Sequence, residues 1–170
     1  LIGLYTGARQ NEIASLTPRD IKCKDGIWYF DITDEEEEQK SVKTGAAIRT
    51  VPVHSELLRH GILELRDRVE ALGDSNIRLM YEMTYKNETW GRKVGSWFNG
   101  PFLKKLGLKT KRLSYHSLRH SAITTMRQAG ADNHIVRALV GHEPDGVTEA
   151  IYNAGFTLVQ LQAAIETLKY

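Results

Sequence analysis

Cysteine is nearly absent from this sequence. Cys23 stands alone, so no disulfide can close within the chain, and such usage suits a reducing cytoplasm. Long apolar runs are missing too. None reaches the roughly 18 residues that a membrane-spanning helix needs, so no membrane partner is expected. Leu1-Ile2-Gly3-Leu4-Tyr5 carries no starting Met and no basic n-region, so a signal peptide is not expected in these residues. They look instead like the interior of a helix, and the chain is expected to be a piece of a longer protein. Net charge is small, +2 with a pI near 8.6, below the basic bias of a dedicated DNA-binding domain. Internal repeats are missing, and the only low-complexity segment is Glu35-Glu36-Glu37-Glu38.

What is present fits one domain with a core of ordinary size: 170 residues, 41% of them hydrophobic. The small net charge hides an uneven distribution. Asp34 and the four glutamates put five acids in one loop. From Lys104 to Arg127 there are seven Lys/Arg and no acid, a local field able to attract a polyanion that the whole chain would not.

The chain is organised around Tyr115-His116-Ser117-Leu118-Arg119-His120-Ser121. It joins a basic loop (Lys109, Lys111, Arg112) to a helix predicted over Ser117 to Ala129. Residues three and four apart share a helix face, so His116, Arg119 and His120 project together. They do so near a helix N-terminus, where free N–H groups already favour an anion. A guanidinium fork with two histidines there is suited to phosphate. An isolated H-x-x-R-H is equally compatible with a solvated polar helix start.

In chain order, Leu1 to Tyr5 reads as helix, interrupted at Thr6-Gly7-Ala8. A second helix runs Arg9 to Leu16 and stops at Pro18. Within it Arg9 and Glu12 stand at i,i+3, which by itself reads as a surface ion pair contributing almost nothing. Ile27 to Ile32, bounded by Asp25-Gly26, reads as a strand, and Ala47 to Val53 as a second one with Pro52 near its end. Between them Ser41 to Gly45 forms a turn that carries Lys43. A helical face of Leu57, Leu58, Ile62, Leu65, Val69 and Leu72 follows, capped by Ser55 and broken near Gly61. Residues 74–90 give no clear pattern. Arg92 to Leu106 fits a helix burying Val94, Trp97, Phe98, Phe102, Leu103 and Leu106, with a break or kink at Gly100-Pro101 and Gly107 as its stop. After the 117–129 helix, Asp132 caps His134 to Val140, Gly141 ends that helix, and His142 lies just beyond. Pro144-Asp145-Gly146 is a turn, Thr148 to Tyr152 a short helix, and Thr157 caps a last helix over Leu158 to Leu168.

Taken together, Thr6-Gly7-Ala8-Arg9-Gln10-Asn11-Glu12, Lys43 on a hairpin, His116-Ser117-Leu118-Arg119-His120, Leu139-Val140-Gly141-His142 and then Tyr152 resemble the catalytic domain of the tyrosine recombinases, the phage integrase family. The resemblance spans nearly the whole chain. Each motif is weak singly, but five in register leave little room for chance. Tyr152 follows His142 by ten residues, one more than is usual, and the Asp145-Gly146 turn is able to absorb the extra residue.

The resemblance implies an α+β fold, predominantly helical, of the DNA breaking-rejoining type, with a small antiparallel β-sheet. It implies that residues 1–170 are the C-terminal catalytic domain, with the N-terminal arm- and core-binding domains absent. The implied function is site-specific recombination by metal-independent cleavage and rejoining of DNA, with neither metal nor other cofactor. Tyr152 would attack the scissile phosphate to give a 3′-phosphotyrosyl link and a free 5′-hydroxyl. Arg9 and Arg119 would clamp its non-bridging oxygens, because a guanidinium stays charged and pairs bidentately with phosphate. Lys43 would protonate the leaving oxygen. His116 would assist deprotonation of Tyr152 or hydrogen-bond the phosphate, and His142 would donate to a phosphate oxygen. Glu12 and His120 would support, and Lys109, Lys111 and Arg112 would contact DNA. Implied partners are double-stranded attachment sites, a tetramer of the protein itself exchanging C-terminal segments, and accessory DNA-bending proteins, in the nucleoid-bearing cytoplasm of a bacterial host. The helix from Leu158 onward is equally suited to packing on its own core. Three other readings compete: a type IB topoisomerase-like nicking-closing enzyme, a zinc site built on His116, His120 and His142, and a non-catalytic DNA-binding module.

Overall fold

The computed structural model describes residues 1–33, 48–74, 76–86, 89–142 and 155–170. The acidic stretch, Lys43 and its turn, the 144–146 turn, and the short helix bearing Tyr152 lie outside the described residues.

Helix α1 (Ile2–Thr6) ends because Gly7 adopts φ 63°, a left-handed conformation that costs glycine little. Thr6 fixes the reversal. Its hydroxyl donates to Ile2 O at 2.7 Å and accepts from Ala8 N–H at 3.1 Å. The glycine is needed on a second count, since a Cβ at position 7 would lie 3.2 Å from Ala122 Cβ and 3.4 Å from Val140 Cγ1. Helix α2 (Gln10–Ser15) follows, with Arg9 as its N-cap rather than its first residue. Pro18 opens a single 3₁₀ turn to Asp20, whose carboxylate accepts the Thr17 N–H at 2.7 Å and hydroxyl at 3.0 Å.

The sheet is antiparallel in the order β1-β2-β3: β1 (Ile21–Lys24), β2 (Ile27–Ile32) and β3 (Arg49–Pro52). β2 has the predicted bounds; of the predicted Ala47 to Val53, Ile48 and Val53 lie outside β3 and Ala47 is not among the described residues. β1 was not expected. Its turn to β2 uses Asp25 at φ 52° and Gly26 at φ 78°, the paired left-handed conformation of a tight hairpin. The register sets Phe30 against both Ile21 and Val51. Phe30, Val51 and Val53 are fully buried and join Leu139, Val140, Met126 and Ile165 in one apolar core.

The predicted 55–72 helix is two helices, α3 (Ser55–Arg59) and α4 (Ile62–Glu70), separated at Gly61 with φ 81°. The cap is His54, not Ser55: its Nδ1 accepts Glu56 N–H at 3.0 Å. Leu72 lies past the end of α4 and is exposed. The Arg92 to Leu106 segment is continuous rather than broken. α5 (Arg92–Trp97) passes into a π turn (Phe98–Phe102) that accommodates Pro101, then into α6 (Leu103–Lys105). Gly91, Gly95 and Phe98, at i, i+4 and i+7, form the buried side of the segment's start, and Leu103 is buried beyond the wider turn; Trp97 and Leu106 are exposed, against expectation.

Helix α7 (Tyr115–Gln128) begins two residues earlier than predicted, after Ser114, whose N–H donates to Ser117 Oγ at 3.1 Å. Its buried face is Arg119, Ala122, Ile123 and Met126. Helix α8 (Asn133–Val140) is capped as predicted by Asp132, which accepts from His134 and Ile135 N–H, and stops at Gly141 with φ 67°. Helix α9 (Leu158–Ile165) is capped by Thr157 and packs on β3 and α8 of its own chain, with Leu161, Ile165 and Leu168 in the common core.

Candidate functional site

The site is assembled where α2, β3, α7 and the end of α8 meet, with Glu12 at its centre. Glu12 is buried, its side chain only 2% exposed. Its Oε2 accepts the Arg9 backbone N–H at 2.7 Å and Arg49 Nη2 at 2.9 Å. Its Oε1 accepts Arg9 Nη1 at 2.8 Å and Arg49 Nη1 at 3.2 Å. Arg9 and Glu12 are therefore not the surface ion pair that their spacing suggested. Burial pushes the Glu12 carboxyl upward, but the hydrogen bonds and charge of Arg49, with the two contacts from Arg9, outweigh it and hold the group below the usual carboxylate range.

Arg9 is half-buried, and its Nη2 donates to Gly141 O at 3.2 Å. That carbonyl immediately precedes His142, so the bond joins the two predicted phosphate ligands from opposite ends of the chain. Arg119 is 3% exposed and donates Nη1 to Gly7 O at 2.9 Å. The left-handed Gly7 thus presents the carbonyl that orients this arginine. The second terminal nitrogen, Arg119 Nη2, is buried with no hydrogen-bond partner among the described residues. Burial lowers the Arg119 pKa to about 10, Arg9 and Arg49 add to the fall, and Glu12 opposes it. Three guanidinium groups thus act on one carboxylate, and the balance is positive.

His116 and His142 both face this charge. Burial and the charges of His120, Arg119 and Arg9 lower the His116 pKa. Burial lowers that of His142, followed by Arg119, Arg9, Arg137 and Arg127. His120 meets His116 edge to face, ring centroids 4.7 Å apart. The structure therefore brings together Arg9, Glu12, His116, Arg119, His120 and His142. Lys109, Lys111 and Arg112 occupy an exposed loop leading into α7, where Lys109 Nζ donates to Asn99 O and Arg112 N–H to Thr110 Oγ1. Lys43 and Tyr152 fall outside the described residues.

Arg49 escaped the sequence reading, although a signal was there. In a strand, alternate residues share a face. Arg49 therefore points the same way as Val51 and Val53, into the core, and a buried arginine must find a partner. Gln10 and Asn11 also passed unnoticed. Asn11 Oδ1 accepts from Thr89 Oγ1 at 2.8 Å and Trp90 N–H at 2.9 Å, and Gln10 Nε2 donates to Gly91 O. Gly91 and Gly95 leave room for them, since a Cβ at 95 would lie 2.5 Å from Gln10 Oε1. This clamp anchors the helix turn that carries Arg9.

The donor set does not suit a three-histidine zinc site. His116 and His142 lie under the positive charge of Arg9 and Arg119, which repels a cation. Among the described residues no group of three His, Cys, Asp or Glu side chains is placed to hold a metal.

A mostly helical α+β domain with a three-stranded antiparallel sheet, and a cationic cluster joining α2, α7 and the end of α8, agrees with the fold that the resemblance to the tyrosine recombinases implies. The chain belongs to the phage integrase family, whose profile matches residues 1–157. It is similar in fold to the solved structure of the XerH site-specific recombinase bound to difH substrate, a pre-cleavage complex, with a TM-score of 0.58 and 19% sequence identity. The match covers 99% of this chain and 41% of the other, so the chain spans less than half the length of that protein. Comparison with curated proteins gave no match.

Proposed function

We propose that this domain is the catalytic part of a site-specific DNA recombinase that cuts and rejoins strands through a covalent phosphotyrosine. One observation carries most of the weight: a buried Arg119 Nη2 without a partner among the described residues, inside a pocket whose positive charge outweighs its one carboxylate. A buried cationic donor left unpaired is costly, and a phosphate oxygen supplies both the acceptor and the missing charge.

In this mechanism a backbone phosphate sits between Arg9 and Arg119, with His142 donating to one of its oxygens. The Tyr152 phenol attacks phosphorus and gives up its proton, for which neutral His116 is the nearest base in kind; its lowered pKa keeps it neutral at pH 7. The bond to the 5′-oxygen breaks, and Lys43 supplies the proton that makes a 5′-hydroxyl. The phosphate stays on Tyr152 as a 3′-phosphotyrosine, so phosphodiester energy is conserved and no ATP is needed. Attack by another strand's 5′-hydroxyl reverses the steps. Exchange between two duplexes would take four protomers, with accessory DNA-bending proteins compatible with such a synapse and the cytoplasm of a bacterial host as its place. XerH is described with DNA bound, which favours double-stranded DNA as substrate class here. In the described residues α9 rests on its own core, so segment exchange between protomers would require it to leave that seat.

The test uses full-length protein and a nicked duplex that traps the covalent state. Mass spectrometry should find the nucleotide on the peptide containing Tyr152, and Tyr152→Phe should bind DNA without forming the adduct. An adduct formed by Tyr152→Phe would refute the nucleophile. Relaxation of supercoiled DNA without sequence preference, and no strand exchange, would favour the topoisomerase reading instead.

A further inference from the structure

Arg49 takes up most of the Glu12 carboxylate. It covers both oxygens with its two terminal nitrogens and leaves the Arg9 side chain a single contact, Nη1 to Oε1. The third nitrogen, Arg49 Nε, donates to Leu139 O at 2.7 Å, in the last turn of α8. Two residues later Gly141 O receives Arg9, and His142 follows. One side chain, 6% exposed, therefore ties β3 to the acid behind Arg9 and to the helix end that presents His142.

We propose that Arg49 is a positioning residue for the phosphate pocket: by occupying Glu12 bidentately it keeps Arg9 from closing a fork on that acid. Carboxylate and phosphate compete for the same planar fork of a guanidinium. Were Arg49 absent, Glu12 would be free to take Arg9 in a two-point pair, spending its charge and its donors on the protein. With Arg49 present the acid is satisfied, and Arg9 retains donors and charge for an incoming anion. The bond to Leu139 O fixes the distance between that fork and His142. Arg49 touches no substrate atom in this account. The inference rests on the phosphate-pocket reading, and its test separates the two.

Two measurements on full-length protein are used: single-turnover adduct formation on a nicked duplex, and binding of inorganic phosphate followed by arginine side-chain NMR. Arg49→Met should slow adduct formation by about 100-fold, the size of one misaligned oxyanion donor, with DNA affinity changed by less than about threefold. Arg49→Lys should recover part of this, since an ammonium can neutralise Glu12 but not cover both oxygens and Leu139 O at once. The decisive readout is epistasis. In an Arg9→Ala background, Arg49→Met should add less than about threefold, because the residue through which it acts is gone. If Arg49→Met multiplies the defect equally with and without Arg9, its role is general folding and the proposal falls. Should Arg49→Met fold poorly, Arg49→Met/Glu12→Gln removes both charges together; with the acid that would claim Arg9 gone, adduct formation should exceed that of Arg49→Met, and a rate no higher would overturn the proposal. If wild type forms no adduct yet binds phosphate, and Arg49→Met weakens that binding only when Arg9 is present, the recombinase reading fails and the positioning role stands. If wild type binds no phosphate, both fail.

Discussion

Two carboxylates tie distant parts of this chain together, and they do it differently. Glu166, at the end of α9, accepts the Ser55 backbone N–H at 2.7 Å and the Ser55 hydroxyl at 2.6 Å, while His54 Nε2, buried and without a hydrogen bond among the described residues, lies 3.6 Å away. It caps the start of α3 and latches the C-terminal helix to the body. Both its oxygens are filled by neutral donors, and the His54 ring beside it packs on Tyr5, centroids 4.5 Å apart. Glu12 joins α2, β3 and, through Arg49, the end of α8, but three arginines act on it and one of their buried donors has no partner among the described residues. The first cluster holds no lysine or arginine and explains a packing contact. The second is unbalanced, and folding alone gives no reason to bury more cation than anion. The imbalance is what marks the site.

The strongest way to break this contrast is to remove the one acid at the centre. Glu12→Gln leaves three guanidinium groups with no counter-charge and should destabilise the protein by about 3 kcal/mol or more, as for a buried pair that loses one partner. The pH dependence gives an independent check. The folded pKa of Glu12 is depressed, so its contribution is present above the unfolded value near 4.3 and is lost as pH falls through the lower folded value. The stability gap between wild type and Glu12→Gln, from urea titrations, should be widest near neutral pH and shrink in that acid window. A gap that stays constant down to pH 2 would mean that the Glu12 charge contributes nothing.

Arg119 should show the opposite separation of stability from activity. Arg119→Lys keeps the charge but loses the fork, and cleavage should fall 10²- to 10³-fold, roughly 3 kcal/mol in the transition state. Its melting temperature should change far less than that of Glu12→Gln, because an over-supplied cation is not what holds the fold. Inorganic phosphate should raise the melting temperature of wild type and fail to raise that of Arg119→Lys. Near-normal cleavage by the lysine variant would remove the bidentate role.

Which of these features were readable beforehand follows from their physics. Arg9, Glu12, His116, Arg119 and His142 stand at spacings that helix geometry and motif order expose, so their convergence was expected and is found. Burial was not readable, because an i,i+3 pair looks the same on a surface as in a core. Arg49 sat in plain view of strand alternation, but a lone arginine among apolar residues was read only as part of a strand. β1 was overlooked because only Ile21 of its four residues is buried, although Asp25-Gly26 was a hairpin signal. Trp97 is exposed because the buried side of α5 runs through Gly91, Gly95 and Phe98, two of them glycines that carry no apolar signal, whereas Leu106 follows a π turn that breaks the 3.6-residue period. The Gln10 and Asn11 clamp joins residues about eighty positions apart, which no local pattern reveals.

The Glu166 cluster should give the smallest response, and its size sharpens the comparison. Glu166→Ala removes a side-chain cap from α3, a loss of about 1 kcal/mol in helix-capping series. The apolar seat of α9 remains, since Leu161, Ile165 and Leu168 lie in the common core. Hydrogen exchange should therefore rise at the start of α3 and along α9 while the amides of α7 and α8 stay protected, and the phosphate-induced rise in melting temperature should match wild type. If Glu166→Ala instead abolishes the phosphate response, the two carboxylates belong to one network. The division between a packing latch and an anion site would then be wrong, because the hydrogen bonds that Glu166 makes to Ser55 do not reach Arg119.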